Sequence, residues 1–511
     1  MQKILQSLEN TSIKQLHLWI VLIGMLIASQ VQYIQHGWIN PDSVLYLEAA
    51  KLFSNGDWKA GFEVFNWPFY SLCITLVNKI TQLGVHVSAQ ILNVIFFGMA
   101  TFAFITIIQL AGGKQKQIIA AALIWLSAPY MIGGVLEMLM RDEGFWAFYL
   151  LSIVFFIRFY QQQRLKDALL WQLAMMFASL FRIEAILYLA LLPLVLLFNP
   201  HQSLSSKLKL VFKAYSVQLA LTLLIVCALF TYPEFSTKML GRLNEIFTSN
   251  LLSEFTALFR EKSAIMSQSV LGEYLEEFAI PGLMLTFIYV IIIKVVFTTG
   301  LITMGLAVLG IKHRHILLEQ KSAQILMATT YIALLSMALI ITKVFVLSGR
   351  YVLALSFILM VFASFFFAHL LFKQHVNTKT KWLVRLLILF MLACSVKNIL
   401  PKQQGYNYMQ DAVAWIQVTN NNNNKPVFYD QARMRYYADE PFKGTFGGHL
   451  EHLNTSIADK TIFNYHYLLI ESSNKNNVTK NLIKNALPEY TLINQFNDAK
   501  AKKSVLIYQK K

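Results

Sequence analysis

Four short stretches of this 511-residue chain combine residue types that do chemistry together. The first, His36-Gly-Trp-Ile-Asn-Pro-Asp-Ser-Val-Leu-Tyr46, sets Asp42 and Tyr46 four positions apart, on one face of a helix predicted to start after Asn40 with Pro41 in its first turn. The others are Arg141-Asp142-Glu143, the pair Arg182 and Glu184, and Arg350-Tyr351 after Gly349. A carboxylate such as Asp42 or Asp142 takes a proton from a hydroxyl. A guanidinium recognises phosphate through paired N–H donors. The structural alternative is that the acids only complement helix dipoles, worth a few tenths to about 1 kcal/mol. Whether the charges share one membrane level decides between the two readings, because ionisable groups at the edge of hydrocarbon are costly to keep there.

The elements that position them are apolar. The sequence is 56% hydrophobic and 14% charged, where soluble domains carry about 25% charged residues, so a soluble cytoplasmic protein is excluded. At about 20 apolar residues per crossing, eleven spans are predicted near 16–33, 88–111, 117–131, 144–160, 168–181, 183–197, 211–230, 287–310, 324–345, 351–371 and 383–399. The segment 16–34 is longer than the apolar run of a signal peptide and is expected to stay as the first span. With a cytoplasmic N-terminus, the inner segments carry Lys114, Lys116, Arg158, Arg164, Lys207, Lys312, Arg314 and other cations against only Glu9, Asp167 and Glu319. That agrees with the positive-inside rule, and it accounts for the +17 net charge without nucleic acid as a partner. Two short spans meeting near Arg182 and Glu184 are needed to keep the Lys312 to Lys321 cluster inside.

This topology puts Asp42, Glu137, Arg141, Asp142, Glu143, Arg182, Glu184, Arg350 and Tyr351 at the external face. It also puts there the loops 35–87 and 232–283 and the whole tail. The fold class expected is a polytopic α-helical membrane protein of about eleven spans, with a membrane domain over 1–400 and a small α/β domain over 401–511. In the tail, Met409 to Gln417 has helical period, and Pro426 to Tyr429, Tyr467 to Glu471 and Ser504 to Tyr508 read as strands. Trp38, Trp67 and Trp146 fall at the outer interface, where aromatic rings collect in any membrane protein. Cys73, Cys227 and Cys394 lie in apolar surroundings without paired spacing. Gly112-Gly-Lys114 lacks phosphate-loop spacing, and the histidines, among them His449 and His452, form no metal-protease motif.

In order and sidedness these stretches resemble the GT-C class of glycosyltransferases that use lipid-linked sugars, in the branch of bacterial protein O-mannosyltransferase-like and lipid A aminoarabinose transferase-like enzymes. The resemblance rests on Asp42 and Tyr46 after the first span, Asn66-Trp-Pro-Phe-Tyr70, Arg141-Asp142, Arg182 with Glu184, and Gly349-Arg-Tyr351. It extends to the tail through Tyr408 to Trp415, Lys425-Pro-Val-Phe and Tyr436-Tyr437. It implies a bacterial inner-membrane enzyme with a periplasmic or extracellular tail. Its donor would be a polyprenyl phosphate sugar lying among membrane lipids, and its acceptor a lipid, a glycan or a protein. The protein O-mannosyltransferases themselves carry an Asp-Glu pair in the first loop, whereas Ser43 follows Asp42 here, which weakens a protein acceptor.

The resemblance implies Asp42 as the catalytic carboxylate, with Asp142 a second acid for the acceptor or for a divalent metal ion. Tyr46, Trp67, Arg141, Glu143, Arg182, Glu184, Arg350 and Tyr351 would line the substrate site. Arg350, Arg182 and the loop cations Lys238, Arg242 and Arg260 are candidates to hold the leaving phosphate, the electrostatic role that usually counts for most. A transporter, flippase or polymerase of lipid-linked glycans would use the same substrate class. A secondary transporter should also show midplane polar groups and repeats, and here the sequence shows mainly Lys294 deep in an apolar stretch and no internal repeat.

Overall fold

The computed structural model describes residues 11–198, 202–231, 251–372, 378–421, 424–440, 450–473 and 478–511. Among the described residues, eight helices are long and apolar enough to cross a membrane: Ile13–Tyr33, Val85–Leu110, Gln115–Val135, Asp142–Gln162, Tyr274–Thr299, Gln320–Val344, Gly349–Leu371 and Lys381–Ile399. The other three predicted spans correspond to shorter helices. Leu165–Phe181 has 17 residues, Ser216–Thr231 has 16, and the third is a seven-residue α-turn segment Ala185–Leu191 continued by a seven-residue 3-10 segment Leu192–Phe198. The predicted span 287–310 is broken: Gly300 takes φ 87°, ending one helix at Thr299 and starting another, Leu301–Lys312. Glycine alone adopts that conformation without steric cost.

The chain divides into two compact units. The first comprises residues 1–31, 91–137 and 141–399. Its centre is Gly349–Leu371, a helix apolar on every side and accordingly buried on nearly every side. Trp125 wedges between Phe104 and Phe357, with ring centroids 4.4 and 5.1 Å away, and its indole N–H donates to Thr101 Oγ1 at 2.9 Å. Leu301–Lys312 packs against the same central helix at Gly310, where any Cβ would run into the backbone carbonyl of Phe362. Asp142–Gln162 and Leu165–Phe181 form a tight helical hairpin, turned at Gln163, whose φ of 55° closes the first helix through an N–H bond to the Phe159 carbonyl. By contrast, Tyr274–Thr299 leaves most of its apolar surface uncovered, as a helix facing lipid does.

The second unit comprises residues 32–90, 138–140 and 400–511. Its helix Pro41–Ser54 starts as the sequence predicts: Asn40 Oδ1 accepts from the Asp42 N–H at 3.0 Å, and Pro41 occupies the first turn. Its sheet has strands β1 Val427–Tyr429, β2 Tyr467–Ser473, β3 Tyr490–Asn497 and β4 Lys503–Lys510, in the order β1-β2-β4-β3. β1 pairs parallel to β2, and β4 lies antiparallel to both β2 and β3. Leu469, Val505 and Ile507 pack on Met409, Ala412, Val413 and Ile416 of the helix Tyr408–Asn420. Leu468, Ile470 and Leu506 pack on the other side, against Leu453, Ile483 and Leu487. The two central strands are thus covered on both faces and read as continuous apolar runs. β3 was not expected from sequence because it is an edge strand with half of its side chains exposed and only Tyr490 buried, so no apolar alternation marks it.

Candidate functional site

A charged cluster forms in the first unit, where the start of Asp142–Gln162, the junction after Leu165–Phe181 and the start of Gly349–Leu371 converge. Arg182 stands just beyond the last turn of its helix, with its side chain almost fully buried. Its Nη1 donates to Asp142 Oδ1. Its Nε and Nη2 donate to the two oxygens of Glu184 at 3.4 and 3.1 Å, a forked pairing that fixes both groups. The guanidinium carbon also lies 4.3 Å from the centre of the Tyr351 ring, within cation–π range. Arg182 is therefore fully engaged by two carboxylates and an aromatic face.

Arg350 is placed differently. Its Nη1 lies 3.7 Å from Asp142 Oδ2, and its side chain is 23% exposed, against 5% for Arg182 and 1% for Asp142. Gly349 before it allows this close packing: a Cβ there would meet the Tyr130 hydroxyl and Thr298 Oγ1. Arg350, Arg182, Glu184 and Tyr351 line a small cleft together with Phe145 and Ser336. Of the two cations, Arg350 is the more exposed.

The structure brings together Asp142, Arg182, Glu184, Arg350 and Tyr351 from the sequence-predicted set. Glu143 is adjacent in sequence but wholly enclosed, and it does not line the cleft. Arg141 is half-buried just ahead of the helix. Asp42, Tyr46 and Trp67 belong to the second unit. There Asp42 is half-buried in the first turn of its helix, while Tyr46 is buried with its ring edge-on to Phe65 and Tyr70, at 5.0 and 5.5 Å. Trp67 is buried, and Trp146 is completely enclosed against Phe357, so neither offers an open face to a sugar ring. Trp38 is half-buried against Tyr406. Lys238, Arg242 and His449 lie outside the described residues, whereas Arg260 is exposed on the helix Leu251–Met266.

Sequence reasoning did not single out Tyr188, whose ring lies 5.0 Å from that of Tyr149 and which closes one wall of the cleft. A signal was present: Tyr188 follows Glu184 by four residues, the spacing that shares a helix face. Ser336 carried no such signal, since it is a lone small polar residue within an apolar stretch of its helix. Among the described residues no group of three His, Cys, Asp or Glu side chains could hold a metal ion, and the oxygens of Asp142 face two arginines. No family model matches the chain, and no curated protein matches it.

Proposed function

We propose that this chain is a membrane glycosyltransferase that moves a sugar from a polyprenyl phosphate carrier to a lipid, glycan or protein hydroxyl. The observation that supports the reading is Arg350, a partly exposed guanidinium held beside a buried acid at the start of a span-length helix. Such a group meets a phosphate whose lipid lies in the bilayer, while Arg182, already paired with Asp142 and Glu184, does not compete for the anion.

In this reading the acceptor oxygen attacks the anomeric carbon while the bond from that carbon to the phosphate oxygen breaks. The electron pair leaves with the polyprenyl phosphate, whose charge Arg350 offsets, and the hydroxyl proton passes to a carboxylate base, a role for which the resemblance implies Asp42. One displacement inverts the sugar carbon. The proposed setting is a bacterial inner membrane, with eleven crossings, a cytoplasmic N-terminus and an external tail. The cationic loops predicted for the inner face support that orientation.

The test is transfer of radiolabelled sugar from a panel of polyprenyl phosphate donors by the purified protein, with copurifying lipids identified by mass spectrometry. Label should move to an acceptor, and Asp42→Asn should lose nearly all turnover while keeping the wild-type melting temperature. Label that crosses a vesicle bilayer still attached to its carrier would make the protein a transporter.

A further inference from the structure

Apart from the charged cluster, the first unit holds an open cavity of about 560 Å³ between the segment Leu192–Phe198 and the N-terminal half of Gln320–Val344. Its walls are apolar, from Leu194, Phe198, Met327 and Tyr331 among others, and several of these are widely exposed. At one end stand Arg314 and His315. Arg314 spends one N–H on the Ile311 carbonyl, 3.0 Å away, which fixes its stem and leaves the rest of its donor fork for a ligand. Among the described residues no acid lines the groove. The nearest in sequence, Glu319, caps the next helix through the N–H groups of Lys321 and Ser322 and also accepts from Gln161.

Position along one helix sets the direction of this groove. Gln320 and Gln324 line its basic end, whereas Ser336 and Ile340 line the Arg350 cleft. At 1.5 Å per residue, Gln320 and Ser336 are about 24 Å apart, close to the thickness of a bilayer's hydrocarbon. The basic end of the groove therefore lies toward the opposite end of this helix from the Arg350 cleft, whichever way the chain is oriented. The groove runs from Gln320 to Ile332, about 18 Å, roughly the length of one extended acyl chain.

We infer that the groove is a binding site for an anionic phospholipid, its phosphate on Arg314 and His315 and one acyl chain lying along Met327 and Tyr331. Basic pockets between spanning helices select anionic head groups in this way, and Lys312 and Lys321 add to the local positive field. This site is separate from the proposed donor site and does not depend on that function.

The test uses the full-length protein, purified, stripped of lipid in detergent and examined by native mass spectrometry. Phosphatidylglycerol or phosphatidylcholine with identical acyl chains is added. The expected result is one retained phosphatidylglycerol per chain, preferred over phosphatidylcholine by about fivefold or more, and not displaced by inorganic phosphate. Arg314→Gln should bring the preference close to unity, Arg314→Lys should restore most of it, and Ala328→Trp, which fills the groove, should abolish retention of both lipids. Equal retention of the two lipids by the wild type would overturn the assignment. So would an unchanged preference in Arg314→Gln, or undiminished retention in a folded Ala328→Trp protein, since the lipid would then sit elsewhere on the apolar belt.

Discussion

The guanidinium of Arg182 lies 4.3 Å from the centre of the Tyr351 ring while donating to Asp142, 40 residues earlier in the chain. One buried cation thereby ties the starts of two span-length helices to the end of a third helix. This relationship separates the two arginines of the site by role, and different outcomes are expected when each is replaced.

Arg182→Met should be mainly a stability variant. It leaves Asp142 buried beside a single, more distant arginine and strips Glu184 of both its forked bonds. Breaking a buried pair by removing one partner costs about 3–5 kcal/mol. Thermal unfolding in detergent should show a large drop in melting temperature. An unchanged melting curve would mean the cluster is not a structural tie.

For Arg350→Gln the expectation is reversed. The side chain is partly exposed and lies at the edge of the cluster, so the fold should survive with a melting temperature near that of the wild type. If Arg350 stabilises the departing phosphate, turnover should fall by about 10²–10³, the usual loss when one preorganised electrostatic contact is removed. A steady-state assay on a polyprenyl phosphate sugar gives the answer.

Gly310→Ala tests the helix packing that carries the site. The added methyl meets the Phe362 backbone carbonyl, which cannot swing aside as a side chain would. Overpacking of this kind costs about 1–3 kcal/mol. The readout is the denaturation midpoint, and a neutral substitution would show that the pair of helices packs less closely there.

The tail domain should weaken in acid through His452. Burial first, and then the charge of Arg435, push this imidazole from 6.5 down to about 4, and its ring stacks on Phe428 of β1 at 4.9 Å. As pH falls the unfolded chain takes up the proton first. The contribution of neutral His452 is therefore complete above about pH 6.5 and is lost between there and pH 4. Melting curves at pH 7, 5.5 and 4.5 should separate for the wild type and draw together for His452→Gln; parallel behaviour of the two proteins would count against the assignment.

Much of the architecture was legible from local chemistry. Span-length apolar runs, the Asn40-Pro41 helix start and three of the four strands follow from hydropathy, capping and period, all of which act over a few residues. The candidate charges were legible for a related reason: in so apolar a chain an ionisable group at a helix end is rare and costly, which marks Asp142, Arg182, Glu184 and Arg350 without any knowledge of contacts. The edge strand β3 and the break at Gly300 escaped, the one for lack of a buried face and the other because a single glycine leaves a hydropathy profile unchanged.

What the sequence by itself determined is where helices begin, how long they run and which polar groups they carry to their ends. Only the tertiary structure decided that Arg182 is consumed by Asp142 and Glu184 while Arg350 stays partly open, that Glu143 is sealed off, and that Tyr188 closes the cleft. Pairing between distant groups depends on which helix faces meet, and those faces are chosen by packing of side chains such as Trp125, Gly310 and Gly349 across the whole bundle. No spacing along the chain encodes that choice.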